Sequence, residues 1–570
     1  MNRRLIAALA GALLAACSPM ASGAALTPHA ALPAHVPAAA ATYGYPAGRL
    51  APQTRMEIYV TLPGRNEEQL DGLIEALNTP GSSSYGRYLT PEQYGAYFGA
   101  DPRVYARAIA SLRKAGFTIE SLPANRTDIV ASAPEQAVER YFATPIDVRN
   151  DRGRTFFANR FEPQTPPELS AVAISGLDNY VELHPQNVRP RAIVNGVFSW
   201  GPNDIAAAYD LNPLYSAKPA LDGRGVTIAN ATCGAASARD LAAFQKQFGI
   251  SGFGGTLVTT GIGGAARPGC KSYGNGESSL DVDAALGVAR GATFHQVVAA
   301  SPSNADFDKV YSYIVTTLGS TVHVVTTSWG GCEAGVKGTA SLTIDEKLYK
   351  QAAAEGQAWF AASGDFGSDD CYGYPPYKKV SVDFPGSSPY VLDVGGTNVK
   401  ASIVKGNVTA WRGETAWQYA NSDGATGGGR SVLFSKPAFQ RALTPDDGAR
   451  DVPDVALLAD NHNDGMWVYD GVLQSGWGGT SEAAPQWAGL LAIVVQKHGN
   501  RSVRDPHLRL YALAATRAYH ALFHDVVGGT NAVPKSDDPY GSFPGYDATR
   551  GYDLCTGLGS FIGAALVQAY

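Results

Sequence analysis

The first part of the chain, from about residue 43 to 183, switches between the two-residue period of strands and the period of about 3.6 residues typical of helices. The segments 56–64 and 128–133 and the stretch around Phe156 predict strands. Helix starts are marked where an N-cap residue precedes proline, at Thr90-Pro91 and at Asp101-Pro102. This order predicts a small α+β domain, and no catalytic cluster falls inside it.

From about residue 200 onward, the pattern changes to near-continuous apolar runs of strand length, separated by helical segments. The runs are GVTIANATCG, TFHQVVAA, STVHVVTTSWGG, GQAWFAASGD and YVLDVGGT. Continuous apolar strands that alternate with helices are typical of a parallel sheet covered on both faces. We therefore predict a doubly wound α/β domain, with an active site beyond the carboxyl ends of its strands.

Length and charge narrow the classes of function. The chain has 570 residues, which is too long for one ordinary domain, and 45% of them are hydrophobic. Its formal net charge is −6 and it has no long basic run, which argues against nucleic acid as the main partner. We expect a globular protein of two or more domains.

The N-terminus has the pattern of an export signal. Two arginines precede an apolar run and small residues follow, so residues 1–24 are expected to be a signal peptide. Cleavage near residues 21–23 would release a secreted protein, extracellular or periplasmic, whereas the run ending at Cys17 resembles a lipobox and would leave a lipoprotein. No other stretch is long and apolar enough to span a bilayer. Export permits disulfides, and because five of the six cysteines follow the signal, at least one has no partner within the chain.

Ser481 is a candidate nucleophile. It follows a glycine cluster and begins a helix, GWGGTSEAAPQWAGL, in which Pro485 is tolerated because the first turn has no partner for an N–H there. Backbone N–H groups and the positive end of the dipole collect at a helix N-terminus. A serine hydroxyl nevertheless needs a base to become a nucleophile.

The sequence offers no histidine for that role. A subtilisin-type triad would need an aspartate at the end of the first core strand and a His-Gly-Thr helix start, and both are missing. His498 lies at the far end of the Ser481 helix, roughly 25 Å away at about 1.5 Å per residue. His295 and His323 fall inside strand runs. The base must therefore be another group.

The best candidate base is a pair of acids in the segment NGESSLDVDAALGVA. On a helix, Glu277 and Asp281 share one face with four apolar residues, Leu280, Ala284, Ala285 and Val288. An acidic pair at this spacing is usually solvated, but burial side by side would keep one carboxyl protonated with a raised pKa. Such a pair acts as a base toward a serine only at acidic pH.

A third acid, Asp365, follows a strand run in the segment SGDFG. An aspartate after Ser-Gly is often only a turn residue. At the catalytic edge of the sheet, a protonated carboxyl would instead donate to a developing oxyanion.

Together these motifs resemble those of the sedolisins, the serine-carboxyl peptidases. The family's Ser-Gly-Thr-Ser with a proline four residues on is matched by residues 478–481 and Pro485, with glycine at the first position. Its Glu-x-x-x-Asp is matched by Glu277 and Asp281. Its Ser-Gly-Asp-x-Gly and Ser-Trp-Gly are matched by residues 363–367 and 328–330.

The resemblance implies a mechanism and a fold. Ser481 would attack the scissile carbonyl, Glu277 would take and return the proton, and Asp281 would orient and tune Glu277. Asp365, protonated, would help to hold the tetrahedral intermediate. The fold would be subtilisin-like, with a doubly wound, mostly parallel sheet.

The resemblance also implies the domain organisation. Residues 43–185 would form an activation propeptide, a small ferredoxin-like α+β domain that inhibits the enzyme and is removed autocatalytically on acidification; a persisting binding or linker domain is the alternative. Residues 186–200 would be a linker with the processing site, so that the mature chain starts between Arg189 and Trp200. Residues 200–570 would be the catalytic domain, acting as a monomer on protein or peptide substrates.

The C-terminal segments FHDVVGGTN and DATRGYDLCTGLGS resemble the family's calcium loop. The resemblance implies one Ca²⁺ held by the carboxylates of Asp525 and Asp553 and by the backbone carbonyls of Val526, Thr549 and Gly551. Thr549 stands where many relatives have glycine. Without the resemblance, these segments would be ordinary turns.

The cysteines allow one preferred disulfide. Cys332 and Cys371 each follow one of the two polar loops on neighbouring strand ends, so this pair is expected. A Cys233–Cys270 pair is the second option and would leave Cys555 free.

Three functions remain open at this point. The first is an exported, acid-active endopeptidase made as a zymogen. The second is a tripeptidyl exopeptidase of the same family, which would need a loop closing the cleft. The third is a non-catalytic binding protein on a peptidase scaffold.

Overall fold

The computed structural model describes residues 30–151, 153–186, 199–263, 270, 275–371, 380–418, 424–461, 465–533 and 543–570. The predicted signal peptide, with Cys17, and most of the predicted linker lie outside the described residues. No helix in the described part of the chain is long and apolar enough to cross a membrane.

The N-terminal unit, residues 30–186, is built on a four-stranded antiparallel sheet. Its strand order is Thr118–Ser121, Asp128–Pro134, Arg55–Thr61 and Ala173–Ser175. Its helices are Glu67–Asn78, Pro91–Tyr97, Pro102–Lys114 and Glu135–Phe142, with a further short helix at Ala38–Tyr43. Two helical crossovers with the first and third strands in the middle give the ferredoxin-like arrangement that was predicted.

The predicted helix starts are present in this unit. Thr90 and Gln93 form a capping box, because the Gln93 N–H donates to the Thr90 hydroxyl at 3.2 Å and the Thr90 N–H donates to the Gln93 side chain at 2.9 Å. Asp101 accepts from the Arg103 N–H at 2.8 Å. The strand predicted around Phe156 belongs instead to a second, three-stranded sheet of Tyr45–Arg49, Ile146–Asp151 and Arg154–Asn159.

The larger unit contains an eight-stranded, mostly parallel sheet. Seven strands run parallel in the order Thr256–Gly261, Thr293–Val298, Thr227–Thr232, Val324–Thr327, Ala358–Ala362, Val391–Val404 and Val455–Leu458. Asn407–Ala416 joins the far half of Val391–Val404 in antiparallel orientation. The predicted doubly wound architecture is therefore confirmed.

Helices cover both faces of this sheet, which explains why its strands are apolar without alternation. The helices Gly276–Val288 and Thr480–Lys497 pack on one face, and Asn304–Thr316 and Ala340–Glu355 pack on the other. The remaining helices are Pro202–Ala208, Asn212–Ser216, Ala238–Gln247, Glu333–Val336, Pro506–Ala514, Tyr519–Leu522 and Gly563–Ala569. Small antiparallel pairs are Gly429–Ser435 with Ala449–Val452, Met466–Asp470 with Val472–Trp477, and Phe523–His524 with Ser560–Phe561.

Two disulfides brace the larger unit. Cys332–Cys371 and Cys233–Cys270 both form, with Cα–Cα distances of 4.8 Å and 5.4 Å. Cys555 is a buried free thiol. Both expected pairings are therefore present, with Cys555 left over.

The N-terminal unit packs against the face of the larger unit that carries Asn304–Thr316 and Ala340–Glu355. Tyr59 from its central strand shares a hydrophobic cluster with Phe307 and Tyr311 of the first of these helices. Ion pairs surround this apolar contact: Lys309–Glu57 and Lys350–Asp71 at 2.5 Å, and Lys347–Glu67 at 2.6 Å. The N-terminal unit supplies the acids and the larger unit supplies the lysines.

Candidate active site

The two candidate base residues lie on Gly276–Val288, called the acid helix below. Glu277 and Asp281 are 1% and 0% exposed. The predicted apolar stripe does not distinguish these two acids from the rest of the acid helix, because all thirteen of its residues are buried, Asp283 included. Their burial therefore follows from the position of the helix inside the domain rather than from an amphipathic pattern.

Ser481 lies in the first turn of Thr480–Lys497, called the nucleophile helix below. This helix follows Gly479, whose φ of 102° is in the region that favours glycine. Nine apolar or small residues after Pro485 are buried as the helix crosses the domain. The predicted placement of Ser481 at a helix N-terminus is present in the structure.

The acid helix and the nucleophile helix pack against each other in parallel. Gly276 lies against the ring of Trp477 at one end, and Gly489 lies against the carbonyl of Ala285 at the other. A Cβ on these glycines would come within 2.3 Å of the ring and 2.8 Å of the carbonyl oxygen. The close approach brings the two helix N-termini, with the candidate acids and the serine, to one end of the domain.

Asp281 is held by two hydrogen-bond donors. Asn230 Nδ2 donates to one carboxylate oxygen at 2.8 Å, and Ser328 Oγ donates to the other at 2.6 Å. Ser328 Oγ also lies 3.5 Å from the backbone carbonyl oxygen of Ser481. Burial raises the pKa of Asp281 to about 7, against the two hydrogen bonds, which lower it. This carboxyl therefore stays largely protonated at acidic pH.

Ser481 itself is fully buried. Its backbone N–H donates to the carbonyl oxygen of Gln186 at 2.9 Å. Its hydroxyl has no hydrogen-bond partner among the described residues, so no hydrogen bond joins it to the Glu277 carboxylate. The structure thus brings the serine and the acids to the same end of two helices without engaging the hydroxyl.

Asp365 is fixed beside the nucleophile helix by Thr480. One of its carboxylate oxygens accepts from the Thr480 N–H at 2.8 Å and from the Thr480 hydroxyl at 2.9 Å. The other oxygen, Oδ2, has no hydrogen-bond partner among the residues that the structure describes. Burial raises the pKa of Asp365 well above its usual range, and the neighbouring Asp370 carboxyl adds to this rise. The side chain is therefore a neutral acid at low pH, next to the residue that precedes Ser481.

A strand that the sequence analysis did not anticipate crosses this site. Residues 181–186, called the tail segment below, end the N-terminal unit, and His184–Pro185 pairs antiparallel with Trp329–Cys332. On its other edge, the Leu183 N–H donates to the Pro302 carbonyl at 2.8 Å. The tail segment is thus an extended strand held between two segments of the larger unit.

The three histidines considered as possible bases lie elsewhere. His295 Nε2 pairs with the Thr260 hydroxyl at 2.8 Å, and His323 Nδ1 pairs with the Ser502 hydroxyl at 3.0 Å. His498 follows the last residue of the nucleophile helix. None of the three reaches the Ser481 hydroxyl.

The predicted calcium ligands come together in one loop region. The Gly551 N–H donates to the Asp525 carboxylate at 2.9 Å, and the Thr549 N–H donates to the Asp553 carboxylate at 3.1 Å. The carbonyls of Val526, Thr549 and Gly551 accept no hydrogen bond from the described part of the chain. Two carboxylates and three open carbonyls form a set of hard oxygen donors, which fits Ca²⁺.

Sequence reasoning missed three contributors to the site. Asn230 was visible as a polar residue in an otherwise apolar strand, and a buried amide of this kind needs a partner. Thr480 was seen only as part of a motif, although both its N–H and its hydroxyl hold Asp365. Gln186 gave no signal, because its role depends on how the N-terminal unit returns to the cleft.

Comparison with known proteins places these observations in a family. Residues 44–180 match the family model described as "Pro-kumamolisin, activation domain", and residues 255–541 match the model described as "Subtilase family". Sedolisin from Pseudomonas sp. (strain 101) is 30% identical over 553 residues, which cover 94% of this chain and 90% of that protein. The chain belongs to the sedolisin family of serine-carboxyl peptidases. It is a peptidase precursor with an activation domain.

Two further similarities extend this result. The solved structure of Pseudomonas sedolisin, complexed with two molecules of pseudo-iodotyrostatin, has a TM-score of 0.56 at 30% identity and covers 66% of this chain and 98% of that chain. Tripeptidyl-peptidase 1 from Rattus norvegicus is 26% identical and covers 90% of this chain and 91% of that protein. A relative named as a tripeptidyl-peptidase thus matches nearly the whole chain, so family membership does not by itself assign the mode of cleavage.

Proposed function

We propose that this sedolisin-family protein is an exported, acid-active endopeptidase that uses Ser481 as its nucleophile and Glu277 with Asp281 as its general acid and base. The observation that carries the proposal is the placement of Asp281. Its carboxyl is fully buried on a helix packed parallel to the nucleophile helix, and Ser328 bridges it to the Ser481 backbone. A buried acid with this connection has the surroundings of a catalytic group.

In the proposed reaction, the Ser481 hydroxyl attacks the carbonyl carbon of the scissile bond. Glu277 accepts the hydroxyl proton and later delivers it to the leaving amine. Asp281, held by Asn230 and Ser328, shares a proton with Glu277 and keeps its carboxylate oriented.

Two donors are available for the negative charge that develops on the carbonyl oxygen. The Ser481 N–H already contacts a peptide carbonyl at 2.9 Å, which is within the range for an oxyanion donor. Asp365 supplies the second, because its proton sits on a carboxyl whose Oδ2 is not otherwise engaged in the described residues. The hydrogen bonds from Thr480 hold this carboxyl in place.

Acid activity follows from the protonation states that this arrangement needs. Asp365 must be neutral to donate, and burial raises its pKa, so it is neutral at low pH. Asp281 has a pKa of about 7, so it also holds its proton there. As the pH rises past the raised pKa of each carboxyl, its proton is lost and the proposed catalyst loses its donors.

The length of the cleft supports an endopeptidase rather than a tripeptidyl exopeptidase. The tail segment stays in contact with the larger unit for six residues, from the Val181 carbonyl, which accepts from the Asn304 N–H, to Gln186 at Ser481. An enzyme that removes tripeptides needs its cleft closed after three residues. The cleft of this chain holds six residues of the tail segment, which is longer than a tripeptide.

The domain boundaries are proposed as the sequence predicts them. Residues 1–24 are the export signal, residues 43–185 the activation domain, residues 186–200 the linker, and residues 200–570 the catalytic domain. Burial of Ser481 beneath the tail segment supports the inhibitory role of the activation domain. We further propose that the mature enzyme is monomeric and secreted, with lipid attachment at Cys17 as the alternative form of export.

We also propose one Ca²⁺ bound by Asp525, Val526, Thr549, Gly551 and Asp553. The ion would tie the two C-terminal loops together and thus stabilise the fold rather than take part in the reaction. Burial raises the pKa of Asp553 to about 6, so bound Ca²⁺ would have to displace a proton at acidic pH. Chelation of the metal should therefore lower the unfolding temperature, and Asp553→Asn should remove this sensitivity to chelator.

The enzyme function is tested by acidifying the purified precursor. The wild-type chain should lose its activation domain and then cleave peptides, whereas Ser481→Ala should stay at full length. An N-terminally blocked peptide and its unblocked form separate the two modes of cleavage: the endopeptidase cuts both, and an exopeptidase cuts only the second. A wild-type chain that keeps its activation domain and cleaves nothing would instead be the non-catalytic binding protein.

A further inference from the structure

We propose that the peptide bond after Gln186 is the first bond that this enzyme cleaves in its own chain. We further propose that Asp383 makes the pocket that holds the Gln186 side chain selective for side chains that carry an N–H donor. The proposal rests on the proposed function, because it assigns a substrate to the same site. It names both the processing bond and a specificity-determining residue.

The scissile position is indicated by the Gln186 carbonyl. Its oxygen accepts the Ser481 N–H at 2.9 Å, so the carbonyl already lies where the oxyanion of the reaction would form. The backbone N–H of Gln186 donates to the Ser328 carbonyl at 2.9 Å. Both backbone groups of Gln186 are therefore fixed, the carbonyl by Ser481 and the N–H by Ser328.

The register of the tail segment is determined by its sequence. His184 pairs with Gly330 and Pro185 pairs with Trp329, which leaves Gln186 opposite Ser328. A shift by one residue would bring Pro185 to Ser328, and proline has no N–H to donate. The same shift would move every side chain to the opposite side of the strand.

The side chain of Gln186 is recognised by a carboxyl. Its Nε2 donates to Asp383 Oδ2 at 2.5 Å, and the residue is only 4% exposed. Asp383 is itself 1% exposed and accepts the Gly331 N–H at 2.6 Å through its other oxygen. The acceptor that contacts the Gln186 side chain is thus held in place by the strand Trp329–Cys332.

Glycine at position 330 makes room for this acceptor. A Cβ there would lie 2.4 Å from Asp383 Oδ1, so any larger residue would displace the carboxyl. A leucine in place of the glutamine would fill a similar volume but leave the buried Asp383 oxygen without its partner. Such a loss typically costs a factor of about ten to a hundred in a binding or rate constant.

The cleavage is an ordinary acyl transfer. The Ser481 oxygen bonds to the Gln186 carbonyl carbon while the bond to the nitrogen of residue 187 breaks, and that amine takes a proton. Water then displaces Ser481 from the acyl-enzyme, leaving Gln186 with a free carboxyl group. The family resemblance predicts a mature chain that begins between Arg189 and Trp200, so this first cut lies before that range.

The processing bond is tested by acidifying the full-length precursor and taking early time points. We expect the mass of the released activation domain to end at Gln186. Gln186→Leu should slow its release about tenfold or more. Gln136→Leu, the same change within the activation domain and away from the tail segment, serves as the control and should process at the wild-type rate.

The outcomes separate this proposal from the proposed function. If wild type sheds its activation domain at another bond, or if Gln186→Leu is processed as fast as the control, the assignment of Gln186 is wrong while the peptidase function stands. If wild type releases nothing and cleaves no peptide, the proposed function itself fails.

The role of Asp383 is tested with mature enzyme and peptide substrates. A peptide with the sequence of residues 181–190 should have a kcat/KM about ten times or more that of the same peptide with leucine at the Gln186 position. Asp383→Ser, which is too short to reach the amide, should bring this ratio close to one. Equal rates on the two peptides with wild-type enzyme would overturn the role of Asp383, whether or not the variant folds.

Discussion

Thr480 holds Asp365 with two hydrogen bonds, one from its N–H at 2.8 Å and one from its hydroxyl at 2.9 Å. The nucleophile is the next residue in the chain, so the proposed oxyanion donor and Ser481 are positioned by one turn of backbone. Replacements of Asp365 can therefore test whether catalysis needs the shape of this side chain or its negative charge.

The first prediction concerns the charge state of Asp365. Because the proposed carboxyl works as a neutral donor, Asp365→Asn should keep kcat within about tenfold of wild type, while Asp365→Ala should lower kcat by roughly 10² to 10³. Steady-state kinetics at acidic pH on matured enzyme measure both. Equal losses for the two variants would mean that ionised Asp365 is required.

The second prediction concerns the tuning of Asp281. Asn230→Ala removes one of the two donors that stabilise the charged carboxylate, so the pKa of Asp281 should rise further above its value of about 7. Because the proposed catalyst needs Asp281 protonated while Glu277 is ionised, the alkaline limb of kcat/KM should move to higher pH. The pH profile of kcat/KM measures this shift.

Ser279→Ala provides the matched control for that profile. Ser279 lies on the same acid helix and is buried, but its hydroxyl bonds to no described residue. Its pH profile should match wild type. If both variants move the alkaline limb equally, the hydrogen bond from Asn230 is not the cause.

The third prediction concerns release of the activation domain. Burial raises the pKa of Glu67, but the hydrogen bond and charge of Lys347 outweigh it, so the pKa lies below its usual value. Because the pKa of Glu67 is lowered, this contact stabilises the closed precursor fully at pH values above the ordinary pKa of glutamate. The stabilisation is lost as the pH falls through the lowered pKa of Glu67. Acidification therefore weakens the interface.

Glu67→Gln combined with Asp71→Asn should then let the precursor activate at a higher pH than wild type. Both acids are substantially exposed, so their ion pairs contribute only about 0.2–1 kcal/mol each, and the half-time should fall by no more than about thirtyfold. Electrophoresis of the precursor across a pH series measures this. Glu75→Gln, on the exposed side of the same helix, is the control and should leave the midpoint in place.

The fourth prediction concerns stability of the catalytic domain. His507 lies buried, 3.5 Å from Asp454 and 3.1 Å from Asp505. Burial lowers its pKa, but the two carboxylates prevail and raise it to about 9. The resulting stabilisation is complete below the ordinary histidine pKa of about 6.5 and is lost as the pH rises through about 9.

His507→Gln should accordingly lower the free energy of unfolding by about 3 kcal/mol at acidic pH and by much less in alkali. Urea unfolding in a Ser481→Ala background, which prevents self-digestion, measures the difference at each pH. A loss that does not change with pH would mean that His507 acts by packing alone.

The fold was predictable because its signals are local. Unbroken apolar strands such as Ala358–Ala362 indicated a sheet covered on both faces, and the Thr90 cap indicated where a helix begins. The amphipathic argument for Glu277 and Asp281 did not hold in the same way, because the acid helix is buried on every side. Periodicity cannot distinguish one face of a helix when packing covers them all.

The parts of the site that could not be predicted depend on distant segments meeting. Asn230 and Asp281 lie 51 positions apart, and Gln186 reaches Asp383 across 197 positions. The chemistry of each residue was visible in the sequence, but the distance between their side chains depends on the order of the strands. The tail segment adds a strand whose partner, Trp329–Cys332, belongs to another domain.

The most direct measurement of the central claim is kcat for Glu277→Gln, made from precursor that is processed in trans by a trace of wild type. If Glu277 and Asp281 activate Ser481 as a unit, kcat should fall by about 10³ or more, and the double variant with Ser481→Ala should be no worse than Ser481→Ala alone. A Glu277→Gln enzyme that turns over at close to the wild-type rate would contradict the claim.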